Sequence, residues 1–265
     1  MRDLKTLMDM TGRRALVTGG AGHLGRTMAD SLAELGAEVL LVDVDDAPTQ
    51  AVANEISERR GTTVTALECD LEDAEARAKL VEQVASGGLS VLINNAAFVG
   101  TSGLTGWAEP FEGQSVETWR RALEVNLTAG FHLCQLFAPV LKDGPGGSII
   151  NIASIYGQWA PDYGLYEGTA MANPAAYGAS KGGLIQFTRW LSTTLAPLVR
   201  ANVISPGGVA RGQHESFVQR YCARTPLERM ATEEDFRGAV AYLASDLSAY
   251  VTGQVLAIDG GWGAW

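Results

Sequence analysis

Cysteine and histidine are scarce in this chain, at three each among 265 residues. Cys69, Cys134 and Cys222 are odd in number, far apart and without a C-x-x-C pair. That argues against a disulfide framework or a zinc knuckle and makes a reducing cytoplasm the expected setting. His23, His132 and His214 are scattered and form no metal pattern. His132 and Cys134, in GFHLCQLF, read as helix-packing residues. Positive charge is also short: 20 Lys and Arg face 30 Asp and Glu, for a formal net charge of −10. A nucleic acid or an anionic membrane needs a basic face, so neither is expected as a partner. A small anionic ligand stays open, because backbone amides and one or two arginines can hold a phosphate locally. No apolar run approaches the ~18 residues of a membrane span. The opening MRDLKTLMDM has no apolar core of signal-peptide length. A soluble, cytoplasmic protein with a small-molecule substrate is expected.

Apolar side chains, by contrast, are plentiful: 46% hydrophobic against 19% charged residues leaves material for a sizeable core. Strand-like and helix-like stretches alternate from Ala15 onward. ALVT is followed by Leu24, Met28, Leu32 and Leu35 on one helical face, with Gly36 as a stop. Then come EVLLVD, a helix over about 47–60, TVTALECD, another helix and SVLINN. A long helix is expected over 115–139, then GSIINIAS, a helix over 174–197, RANVIS and GQVLAID. The strands are nearly unbroken Val, Ile and Leu, as in a parallel sheet covered on both faces. The pattern reads as an α/β chain, one doubly wound parallel sheet of about seven strands in a single domain over 1–265. Ligands of such folds bind beyond the carboxyl ends of the strands. The loops TGGAGHLG, VDVDD, CDLED, NNAAFVG, ASIYG and SPGGVAR all fall there.

TGGAGHLG, residues 18–25, follows a strand and opens a helix, the setting of a dinucleotide fingerprint. Its glycines permit a tight turn and close approach to a pyrophosphate seated on the helix N-terminus. Asp43 ends VLLVD eighteen residues after Gly25, where a carboxylate can accept hydrogen bonds from the adenosine ribose and repel a 2′-phosphate. No Lys or Arg lies among residues 19–24 to offset it, so NAD is expected rather than NADP. In NPAAYGASKGG, Asn173 reads as a helix cap and Pro174 as the first helical residue. Tyr177 and Lys181 then share one helix face. An ammonium one turn away lowers the titration of a phenol from its usual value near about 10. Such a phenol suits general acid/base catalysis.

Taken in order, TGGAGHLG, CD at 69–70, NNAA at 94–97, VN at 125–126, IAS at 152–154, YGASK at 177–181, SPGG at 205–208 and VTGQVLAIDGG at 251–261 resemble the short-chain dehydrogenase/reductase family, over about residues 12–262. The resemblance implies a Rossmann-type fold and hydride transfer between a nicotinamide cofactor and a secondary alcohol or ketone. It implies that Ser154 orients the substrate oxygen and that Tyr177 exchanges its proton. Lys181 would hold the nicotinamide ribose, and Asn126 a water linking Lys181 to solvent. It implies a cofactor surface from Gly19, Gly22, His23, Leu24 and Gly25, with Asp43, Asp70 and Leu71 around the adenosine. Asn94, Asn95 and Ala96 would line the cleft, with Pro206, Gly207 and Val209 near the nicotinamide. Enzymes of this kind usually form dimers or tetramers through the two long helices, and a homotetramer is expected.

The chain departs from the family pattern in three places. The shorter branch usually has glycine where His23 stands, and the spacing of Gly19, Gly22 and Gly25 resembles the extended branch instead. His23 has two readings, a donor to the pyrophosphate or a residue packed beside the loop. Tyr166 lies twelve residues after Ser154, the usual family spacing, but has Ala170 rather than lysine one turn on. Tyr177 has the lysine and lies twenty-three residues after Ser154. An insertion over 159–173 is the better account. It carries Tyr163, Tyr166 and Glu167 as candidate substrate contacts, the other reading being a surface loop. Arg211 stands where relatives often have threonine. It clamps a substrate phosphate or carboxylate or faces solvent, in a stretch over 207–230 that resembles a substrate lid. The segment YEGTAMANPAAYGASKGG is also similar to a bacterial subgroup linked to flagellin and surface-glycan modification, which suits a polar, sugar-like substrate. Two other functions stay open: an NADPH-dependent ketone reductase, and a catalytically silent cofactor-binding regulator.

Overall fold

The computed structural model describes residues 1–44, 47–100 and 102–265. Asp45 and Asp46, the last two residues of the VDVDD loop, lie outside the described residues. The strands are β1 (Arg14–Thr18), β2 (Glu38–Asp43), β3 (Val64–Glu68), β4 (Val91–Asn94), β5 (Gly147–Ile152), β6 (Val199–Pro206) and β7 (Val255–Ile258). They form one sheet in the order β3-β2-β1-β4-β5-β6-β7, and every pairing is parallel. The doubly wound α/β reading therefore holds. The order reverses between β1 and β4, and that switch point opens a crevice at the carboxyl ends.

Alternate strand residues feed two core layers. Val17, Leu41 and Ile93 pack on one face, with Met28 and Leu32 of α2 (His23–Glu34), Ile56 of α3 (Thr49–Arg60) and Leu243 of α9 (Arg237–Ala244). Leu16, Leu40 and Leu92 pack on the other, with Leu80 of α4 (Ala74–Ala85), Phe137 of α6 (Ala129–Asp143) and Leu191 of α7 (Ala175–Thr194). The central strands β4 and β5 are buried throughout, whereas the edge strands β3 and β7 are only partly so. That is the physical basis of their unbroken apolar sequence. A short α1 (Leu4–Met8), capped by Asp3, precedes the sheet, and α8 (Glu215–Arg224) lies in the stretch expected as a lid.

The helix expected over 115–139 is present over 116–143, with one widened turn inside it. It runs as α5 (Val116–Leu123), a π-helical turn over Glu124–Thr128, and α6. Such widened turns cluster at functional sites. Here the turn carries Asn126, whose side chain is bound to the backbone of Phe98 on both sides: Oδ1 accepts from its N–H at 2.7 Å, and Nδ2 donates to its carbonyl at 3.0 Å. Asn173 is not the cap of α7. Pro174 occupies that position without a side-chain cap bond, and the Ala175 N–H donates to Gln114 Oε1 at 3.0 Å instead.

Candidate active site

The glycine loop is held to the end of β4 by a small polar network. Thr18 Oγ1 accepts from the N–H groups of Asn95 and Ala96 at 3.0 and 3.1 Å. Asn95 Nδ2 donates back to the carbonyls of Thr18 and Gly19 at 3.0 and 3.1 Å. Two glycines are required by this approach. Gly19 adopts φ 62°, and a Cβ on Gly25 would run into the Gly19 carbonyl. Gly22 is the N-cap of α2 and makes no side-chain cap bond, so the first N–H groups of that helix are free to meet an anion. At the neighbouring strand end, Asp43 Oδ2 accepts from the Ala21 N–H at 3.0 Å. A cradle closed to any larger residue, open helix donors and a carboxylate at the next strand tip fit a dinucleotide.

A cleft of ≈ 1270 Å³ runs from this loop across the carboxyl ends of the strands. It is lined by Gly19, Gly22, His23, Leu24 and Asp43 at one end, with Asp70, Leu71, Asn95 and Ala96 beside them. Pro206, Gly207 and Val209 line its far wall, and Ser154, Tyr177 and Lys181 lie in between. Gly25 sits behind the loop as packing, and Asn126 lies beneath Phe98. Asn94 is not a lining residue: it turns into the core, where Nδ2 donates to Asn151 Oδ1 at 2.8 Å and Cys134 Sγ at 3.3 Å. His23 does not pack beside the loop. Its ring is 73% exposed and stands 3.9 Å from Glu233.

Ser154 and the Tyr177–Lys181 pair come together because the 3₁₀ turn over Ile155–Gly157 sits against α7. A Cβ on Gly157 would meet the Lys181 backbone carbon at 2.7 Å. Tyr177 and Ser154 face the same cleft. Lys181 Nζ lies 5.8 Å from the centre of the Tyr177 ring and donates to the Ile152 carbonyl at 2.7 Å. The expected electrostatics need correcting. Burial pushes the Tyr177 phenol above its ordinary value, partly offset by Ser154. Burial also brings the Lys181 amine down to about 8. Desolvation is the largest influence on the phenol, opposite in direction to the lowering expected from the spacing of Tyr177 and Lys181. The Asn126 amide is bound to Phe98 and to Ser180 Oγ, the latter at 3.2 Å, and so ties the loop after β4 to α7.

The insertion places its candidates unequally. Tyr166 lines the cleft, with its hydroxyl 2.7 Å from that of Tyr156. Tyr163 and Glu167 are exposed and do not line it. Arg211 lines the cleft but its guanidinium is paired with Glu233. The sequence reading missed Tyr156 and the lining role of Asn173. Tyr156 stands two residues beyond Ser154 in the same loop, which was the available signal. Asn173 carried none, because its local setting reads as a helix cap. Among the described residues no group of three or more His, Cys, Asp and Glu is placed to hold a metal ion, and no helix is long and apolar enough to cross a membrane.

Comparison with known proteins agrees with this geometry. Residues 19–263 match the family model described as enoyl-(acyl carrier protein) reductase. The chain is 33% identical over 262 residues to the "probable galactose dehydrogenase" of Rhizobium meliloti, covering 96% of each chain. It is 32% identical over 277 residues to the cyclohexanol dehydrogenase of a Rhodococcus species, covering 96% of this chain and 97% of that one. Among solved structures it superposes on a gluconate 5-dehydrogenase from Burkholderia cenocepacia, in complex with NADP and tartrate. The TM-score is 0.88 at 25% identity, with 99% and 100% of the two chains covered. Fold and site thus define an oxidoreductase acting on CH–OH groups. The chain belongs to the short-chain dehydrogenase/reductase family.

Proposed function

We propose that the protein is an NAD-dependent dehydrogenase of a secondary alcohol, acting on a polar, sugar-like substrate. The observation that carries this reading is the convergence of Ser154, Tyr177 and Lys181 on one cleft whose other end is the glycine loop with Asp43. A bound nicotinamide supplies the hydride acceptor, or the donor in the reverse direction. Ser154 Oγ holds the substrate oxygen against the Tyr177 hydroxyl. In alcohol oxidation that oxygen gives its proton to Tyr177; in ketone reduction Tyr177 returns it. Burial raises the Tyr177 phenol, which favours its protonated form. Lys181, buried beside it and anchored on Ile152, provides the adjacent positive charge. Around the adenosine end the lining acids are Asp43, Asp70 and Glu72. The Arg121 guanidinium there is bound by both oxygens of Glu72 at 2.8 and 2.9 Å. That balance favours the ribose diol of NAD over a 2′-phosphate.

The second reading, an NADPH-dependent ketone reductase, draws support from the protonated Tyr177 and from the NADP bound by the gluconate 5-dehydrogenase relative. The similarity of 166–183 to enzymes of flagellin and surface-glycan modification points to a sugar-like ligand. The stretch over 207–230 is read as the substrate lid, with α8 as its rigid part. Phe131, Phe187 and Trp190 form an exposed aromatic stripe across α6 and α7, with ring centres 5.5 and 6.4 Å apart, which fits a homotetramer assembled through these helices. Light scattering at four times the 28.1 kDa chain mass checks it.

One pair of measurements tests the enzyme reading. Tyr177→Phe is expected to lower turnover by about 10²–10⁴-fold with NADH binding retained. In titrations NADH is expected to bind at least about tenfold more tightly than NADPH, or about 1.4 kcal/mol. Normal turnover by the variant removes the mechanism, whereas no NADH signal from the natural protein on any polyol, sugar phosphate or nucleotide sugar points to the silent-regulator alternative. A preference for NADPH removes the role given to Asp43.

A further inference from the structure

We propose that Tyr156, Tyr166 and Asn173 form a charge-neutral subsite that grips a second oxygen of the substrate, beside the reacting carbon, so that the enzyme selects uncharged polyhydroxy compounds over sugar acids and sugar phosphates. The proposal rests on the sugar-like reading above and narrows it.

The three side chains come from separate segments, the turn after β5, the insertion and the approach to α7, yet all line the cleft next to Ser154 and Tyr177. Tyr156 and Tyr166 share a hydrogen bond at 2.7 Å, and Asn173 lines the same cleft. The backbone N–H of Tyr156 donates to Ser154 Oγ at 3.2 Å, so the subsite is tied to the residue that meets the reacting oxygen. Two phenols joined by one hydrogen bond keep a hydrogen and lone pairs for a ligand, and a primary amide offers both roles as well. An alcohol or carbonyl oxygen can use such a set fully. The wall alongside is apolar, with Phe217, Met171 and Met230, and suits the C–H face of a ring.

A carboxylate or phosphate needs a cation once it leaves water. The arginines near this end are already committed. Arg211 pairs with Glu233. Arg220 donates to the carbonyls of Leu165 and Glu167 at 3.0 and 2.7 Å. Arg224 pairs with Asp162 at 2.8 Å and lies over the Trp262 ring. Neither Arg220 nor Arg224 lines the cleft. His214 lines it, with Nδ1 engaged by Ser216 Oγ at 2.8 Å at the start of α8. Lys181 is directed to Ile152. These arginines fasten the insertion to α8 and the strand-end loops to one another, and the neutral trio is what they leave facing the substrate.

The test is initial-rate kinetics of the full chain with saturating NAD on galactose, xylitol and myo-inositol, on gluconate and galactose 6-phosphate, and on cyclohexanol. At least one neutral polyol is expected to exceed both anions in kcat/KM by about tenfold or more. Tyr166→Phe, Tyr156→Phe and Asn173→Ala are expected to raise KM for that polyol about tenfold. Their kcat/KM for cyclohexanol, which has no second oxygen, is expected to fall much less. The two phenylalanine variants keep the ring packing, and NADH titration verifies that each variant is folded. Preference for gluconate or the phosphate overturns the proposal, as does equal loss on polyol and cyclohexanol. Oxidation of cyclohexanol with no polyol accepted overturns the subsite and leaves the dehydrogenase standing. Failure to oxidise any alcohol, with NADH still bound, instead sinks the reading on which the subsite rests.

Discussion

At the glycine-loop end of the cleft, backbone is held by backbone and by two short side chains. Thr18 and Asn95 bind the loop to β4, and Gly25 closes against the Gly19 carbonyl. This end lies on the fully buried central strands. At the Tyr166 end the walls belong to a satellite cluster, with Leu165, Phe217, Tyr221 and Trp262 packed apart from the two main core layers. Arginines from α8 reach across to the insertion at Leu165, Glu167 and Asp162. One end is thus welded to the sheet, and the other is a separate body resting on it. A family can keep a cofactor while changing substrates when its cleft is divided in this way.

If the two ends are energetically separate, damage to one leaves the other working. The largest effect is expected from Phe217→Ala. Phe217 is buried, stacks with Tyr221 and meets Tyr166 at a tilt, and removing such a ring costs about 3–5 kcal/mol. The loss should appear as early hydrogen exchange or proteolysis in 160–173 and 215–224, with the NADH dissociation constant changed by less than about threefold. An equal loss of cofactor affinity would merge the two bodies into one. Gly25→Ala attacks the opposite end. Its new methyl group meets a backbone carbonyl that cannot move aside, and overpacking of this kind costs about 1–3 kcal/mol. NADH affinity is expected to fall by that amount while the protease pattern of 160–173 stays as it was.

Per pH unit the smallest, and the most specific, effect concerns Lys181, which lies where the two ends meet. Its folded amine titrates at about 8 against 10.5 unfolded. Between those values the unfolded chain binds more protons, so this group's contribution to stability rises with pH. Its destabilising effect is fully present below about pH 8 and is relieved as pH climbs toward 10.5. The stability of the natural protein relative to Lys181→Met is therefore expected to increase over that window, by at most about 1.4 kcal/mol per pH unit. Denaturant melts at several pH values check it, and a flat difference would place the amine in contact with water.

Much of the cofactor end was legible in the sequence. The Val/Ile/Leu runs located the strands, and EVLLVD coincides with β2. Glycine spacing and the Tyr177–Lys181 interval placed those residues on one cleft. The π-helical turn at Glu124–Thr128 was not legible. No glycine or proline marks it, and its side-chain partner, Phe98, is 28 residues from Asn126 in the chain. Asn173 looked like a cap because Asn before Pro usually is one. Gln114 took that task from 61 residues away, and Asn173 lines the cleft instead. Arg211 was read with its charge free, and Glu233 claims it.

The sequence by itself determined what depends on neighbours within a turn or two of chain: strand burial, glycine conformations, and a phenol and an amine on one helix face. Only the tertiary structure decided which charges are spent and which polar groups remain for a ligand. Those outcomes depend on desolvation and on partners brought from distant segments. Neither is encoded in the local spacing of residues.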